Sequence, residues 1–155
     1  DRLKLMKKFL AIFILSFIFI NPAISKNFNE DIETYYSKNS GMVSTIYGLN
    51  RCSGVLTYMA SMLFKEPDQK KNALTYVKLS SKATEYASKL HSKHNNISFN
   101  KALTSMEKKM MQMDELYRKD AKENFLKKGR YISSIINSDI DYCIQVIVKL
   151  IESDK

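Results

Sequence analysis

Tryptophan is absent from this sequence, and 155 residues hold only four Gly, two Pro and two Cys. Two cysteines are too few for a disulfide-dense miniprotein, and they lack the Cys-x-x-Cys spacing of redox centres and the Cys-x-x-Cys-His of haem attachment. The glycines form no phosphate-cradling loop and flank no serine nucleophile, so phosphate-loop and serine-hydrolase chemistry have no signature here. The length excludes a multidomain machine. With 45% hydrophobic and 26% charged residues, the chain is neither a disordered polar tract nor a polytopic membrane protein.

The strongest positive signal is near the beginning. Met6-Lys7-Lys8 precede twelve residues, Phe9 to Ile20, that are apolar apart from Ser16, and Asn21-Pro22-Ala23-Ile24-Ser25 follow. A basic stretch, a short apolar run, a helix breaker and small residues make up a secretory signal peptide. The apolar run falls short of the roughly 20 residues a bilayer-spanning helix needs. Cleavage is expected after Ser25, with Met6 as the start and residues 1–5 as upstream reading-frame residues. A single domain over 26–155 would then remain, with no lipid-accepting Cys at its start.

That domain carries 21 basic and 15 acidic side chains, a net charge of +6. Export removes nucleic acid from the expected partners and leaves anionic lipid and cell-wall polymers. Lys outnumbers Arg 18 to 3 after Ser25. The Lys pairs at 70–71, 108–109 and 127–128 are scattered, as on solvated helix faces.

Apolar residues recur at three- and four-residue spacing and no strand-like alternation competes, so the fold class is all-α. A short helix is expected around 29–39 and longer ones over 42–64, from Pro67 to about 94, from Ser98 or Asn100 to 128, and over 131–153. The apolar stripes include Leu49, Cys52 and Leu56 in the first long helix, and Met106, Met113 and Tyr117 in the third. Ile136, Ile140 and Cys143 mark the last. The second is diluted by Ser80, Ser81, Thr84 and Ser88. Short connections make neighbours antiparallel, giving an up-down-up-down four-helix bundle with an N-terminal helical extension.

Cys52 precedes the end of its helix by as many residues as Cys143 follows the start of its own. At about 1.5 Å per residue both lie at one level on helices adjacent in such a bundle. In an oxidising compartment a Cys52–Cys143 disulfide is therefore expected.

Asp114 and Asp139 fall near their stripe centres, where a carboxylate needs a partner. Arg51, Arg118 and Arg130 are the only arginines after Ser25. Matching levels suggest an Arg118–Asp139 ion pair, and a polar pocket from Arg51, Asp114 and Asp139 is the alternative. His91 and His94, at i and i+3, are two weak candidate ligands without a third. Met106 and Met110 could offer thioethers to copper, but their stripe position suits core packing. No cofactor is expected. The reading is an exported, periplasmic or secreted protein without a catalytic signature, binding another exported protein or an anionic envelope surface and touching the membrane only through its leader. A bundle binding a small ligand, copper or zinc is the competing class.

Overall fold

The computed structural model describes residues 28–154, and among these there is no strand. The expected leader and its cleavage point lie outside the described residues. Five α-helices follow one another: α1 (Ile32–Lys38), α2 (Met42–Leu63), α3 (Lys70–Asn95), α4 (Phe99–Lys128) and α5 (Ser134–Ser153). A 3₁₀ turn, Pro67–Gln69, sits between α2 and α3.

Local chemistry sets the boundaries. Asp31 caps α1 by accepting the Thr34 N–H at 2.8 Å, so that helix begins at 32 rather than 29. Pro67 starts the 3₁₀ turn, and α-helical geometry is delayed to Lys70. Asn96, at φ 51°, ends α3 in the left-handed region. Gly129 ends α4 at φ 69°, after Lys127 and Lys128 have placed positive charge on its last turn. The last helix starts at 134 instead of 131, because the Ser133 hydroxyl accepts the Ile136 N–H and makes Ser133 the cap.

Helix α2 packs against every other helix. Gly54 allows its closest approach to α4: a Cβ there would overlap Met113 Cβ and crowd the Asp114 backbone. Residues 50, 54 and 61 of α2 meet Met106, Met113 and Arg118 of α4 in the same order along the chain. Against α3 and α5 the order reverses. Ser53 lies 2.5 Å from Thr84 across the hydroxyl oxygens, and Thr57 lies 2.8 Å from Ser80. Cys52 meets Cys143, and Tyr58 donates to the Tyr131 carbonyl at 3.5 Å.

The serines that dilute the α3 stripe thus serve a purpose. Ser80, Thr84 and Ser88 are buried, and their small side chains let α3 approach α2 while the hydroxyls satisfy one another or nearby carbonyls. Leu49, Val55 and Leu56 of α2 form one core with Met106 and Tyr117 of α4 and Ile136 and Ile147 of α5.

Candidate functional site

Cys52 and Cys143 are joined in a disulfide with their Cα atoms 5.2 Å apart. The bridge links α2 to α5 and points to an oxidising, exported compartment. Among the described residues no helix is long and apolar enough to cross a membrane.

Beside the bridge lies a polar cluster without solvent contact. Arg51 and Asp139 are fully buried, with Arg51 Nη2 2.5 Å from Asp139 Oδ2. The Tyr117 hydroxyl donates to the same carboxylate oxygen, and Arg51 Nε donates to the Tyr117 Oη at 3.3 Å. The other oxygen, Oδ1, accepts the Ile32 N–H at 2.7 Å, and Arg51 Nη1 donates to the Glu30 carbonyl at 2.8 Å. The Phe28 ring covers the guanidinium at 5.0 Å and meets Tyr117 edge-on. Burial raises the Asp139 pKa above the ordinary value, while Arg51, the Tyr117 hydroxyl and the Ile32 N–H pull it back. Burial, then Asp139, pushes the Tyr117 hydroxyl well above its ordinary range. For Arg51 burial opposes the charge, but Tyr117 and Asp139 outweigh it and raise the pKa. Both carboxylate oxygens are engaged and solvent does not reach them. The cluster therefore holds residues 28–32 on the helices, rather than presenting an acid or base to a substrate.

The expected Arg118–Asp139 pair does not form. Arg118 Nε instead donates to Asp114, one turn earlier on the same helix, at 2.8 Å, and Nη2 donates to Ser61 at 2.9 Å. Level along the bundle axis says nothing of direction around each helix. Arg118 lies at the partly exposed edge of the contact between α4 and α2, over Tyr58, whereas Arg51 precedes Cys52 on the face of α2 that meets α5. The polar residues consequently separate into two groups: Arg51 and Asp139 in the core, Asp114 and Arg118 near the surface. Asp114 Oδ1 is buried without a hydrogen-bond partner.

His91 and His94 line a small cleft with Tyr47, Asn50, Lys109 and Met113. Burial, followed by the Lys109 and His94 charges, lowers the His91 pKa. Met106 and Met110 do not join them. Met106 is fully buried and its Sδ accepts from Asn50 Nδ2 at 3.2 Å. Met110 faces Thr57, Ser80 and Thr84, with Sδ 3.4 Å from the Thr57 hydroxyl. Among the described residues no three His, Cys, Asp or Glu side chains are grouped to hold a metal ion.

The most exposed apolar feature is the turn from α4 into α5. Phe125, Leu126, Tyr131 and Ile132 are all exposed there, Leu126 to 75%. Phe125 and Tyr131 stack with centroids 4.3 Å apart and planes 9° from parallel. The Asn124 amide donates to the carbonyls of Arg130, at 2.7 Å, and Ile132, at 3.2 Å, which fixes the turn. Lys122, Lys127, Lys128 and Arg130 lie within a few residues of these side chains in the chain and are likewise exposed, as is Glu123. In the sequence Lys127 and Lys128 read only as one of three scattered Lys pairs on solvated helix faces; the neighbouring Phe-Leu and Tyr-Ile pairs were the available signal.

No protein-family model matches the chain, and neither the curated proteins nor the solved structures contain a significant match to it.

Proposed function

We propose that the protein is an exported, periplasmic or secreted, non-catalytic helical bundle that docks on an anionic envelope surface. The leader-like Met6–Ser25 segment and the disulfide support export. The order of the side-chain pairs between helices supports an up-down-up-down course for α2 to α5. One observation carries the docking: Phe125, Leu126, Tyr131 and Ile132 are exposed on a turn whose flanking residues include four exposed cations, Lys122, Lys127, Lys128 and Arg130, against one exposed carboxylate, Glu123. Apolar groups that can enter a headgroup layer, flanked by charges that attract it, are what a surface-binding element requires. A neutral protein groove would leave the cations without a counterpart.

Cosedimentation with vesicles tests the proposal. The protein should pellet with phosphatidylcholine vesicles containing phosphatidylglycerol and remain in solution with phosphatidylcholine alone. Phe125→Ser with Leu126→Ser, and separately Lys127→Glu with Lys128→Glu, should each abolish pelleting. Equal behaviour towards the two vesicle types would overturn the reading and favour a protein partner.

A further inference from the structure

The cleft between α2, α3 and α4 is distinct from the α4–α5 turn. It encloses about 290 Å³, close to the lower end of small-molecule pockets. Phe125 lies 16 residues along α4 from Lys109, or about 24 Å of helix.

Asn50 is 2% exposed. Its Nδ2 donates to the Ile46 carbonyl at 2.9 Å and to Met106 Sδ, so Oδ1 is left as an acceptor, buried and without a hydrogen-bond partner. A buried acceptor of this kind calls for a donor from outside the protein. On the other walls stand Lys109, His91 and His94, and no carboxylate lines the cleft. The Asn95 side-chain nitrogen lies 2.9 Å from His91 Nδ1. An amide nitrogen can only donate, so Nδ1 accepts and the ring proton resides on Nε2, making His91 a donor as well. The lysine charge and the imidazoles favour an anion and disfavour a metal cation, for which two histidines without a carboxylate are in any case a poor ligand set. Val43, Ile46 and Met113 leave room for a short apolar body.

We infer that this cleft binds a small carboxylate carrying its own hydrogen-bond donor, in chemical class a hydroxy acid or amino acid: Lys109 and the histidines receive the carboxylate, and Asn50 Oδ1 accepts from the hydroxyl or amino group. The two histidines are the only ones in the chain, so their Cε1–H resonances report occupancy directly.

Three probes, titrated separately into the full chain, distinguish the contributions: glycolate has both groups, acetate lacks the donor, and glycolamide lacks the charge. Glycolate should shift the His91 resonance saturably and bind about tenfold or more tighter than either analogue. Lys109→Met should erase the preference for glycolate over glycolamide, and Asn50→Leu the preference over acetate. If Asn50→Leu fails to fold, the ranking of the three probes on the unaltered protein and on Lys109→Met decides. Three probes acting alike, or no saturable shift with glycolate, would overturn the inference and leave Asn50 with a water. Phe125→Ser should leave every one of these titrations unchanged.

Discussion

Arg51 meets Asp139 directly beside the point where Cys52 meets Cys143, so an ionic and a covalent link between α2 and α5 start from adjacent residues of α2 and end one helical turn apart on α5. The two differ in kind. The disulfide acts chiefly by restricting the unfolded chain, whereas the ion pair is costly to bury and is tolerated because Tyr117, Ile32 and Glu30 complete its hydrogen bonds.

Removing Asp139 should therefore be severe. Asp139→Ala leaves the Arg51 guanidinium buried without its carboxylate and should cost about 3–5 kcal/mol, measured by urea unfolding. It also frees the Ile32 N–H, so limited proteolysis should cut within 28–38 sooner than in the unaltered protein. Replacing both partners, Arg51→Met with Asp139→Leu, should cost less than the single change. A double variant no better than Asp139→Ala would show that the pair contributes through more than charge compensation.

The Cys52–Cys143 bridge closes a loop of 91 residues. On the chain-entropy account, Cys52→Ala with Cys143→Ala should lower stability by about 4–5 kcal/mol. Unfolding with and without reductant checks this, since reductant should affect the unaltered protein and not the variant.

Most of the fold was legible in the sequence because helix ends are written in single residues. Ser98 and Gly129 each act within one turn, where local reasoning is strong, whereas the Asp31 and Ser133 caps were passed over and their helices were expected to begin three residues too early. The cysteine pair was legible because depth along two helices is a countable quantity. Charge partners were legible only in part: the alternative grouping put Arg51 with Asp139 but added Asp114, and the Arg118–Asp139 pair rested on level alone, which does not fix direction around a helix. The needed clue was adjacency: Arg51 precedes Cys52, and Asp139 lies one turn before Cys143. Tyr117 was placed in the core stripe, but its hydroxyl was overlooked, although a buried phenol needs a partner. The Asn50 cleft depends on three helices at once and leaves no local pattern.

Close approach between α2 and α4 depends on the absence of a side chain at Gly54. Gly54→Ala should force the helices apart at Met113 and cost about 1–3 kcal/mol in thermal or urea unfolding. Gly129→Ala provides a contrast: nothing lies near its added methyl, and its cost should come from the left-handed backbone alone.

The α1 cap should make itself felt through pH. The Thr34 N–H, with Arg51 contributing, holds the Asp31 pKa below the ordinary 3.8. A lowered pKa in the folded state means that the stabilisation is complete above that ordinary value and is lost as pH falls through the lower, folded one. Asp31→Ala should cost about 1 kcal/mol near neutrality, and the gap between variant and parent should narrow below pH 3.8. A gap independent of pH would show that the carboxylate charge is irrelevant to the cap.

Vesicle binding through the α4–α5 turn should weaken as salt rises, because the Debye length shrinks from about 10 Å at 0.1 M to about 3 Å at 1 M. Lys127→Gln should flatten that dependence, whereas Phe125→Ser should lower binding at every salt concentration.

The turns at 64–69, 96–98 and 129–133 all fall between the two bridged cysteines. A protease that nicks any one of them produces two polypeptides that remain a single covalent molecule through sulfur. In an oxidising, exported compartment that keeps the bridge intact, loss of a peptide bond is thereby separated from loss of the assembly. A nicked population should run as one species without reductant and as two with it, and only reduction should release the piece that bears α5.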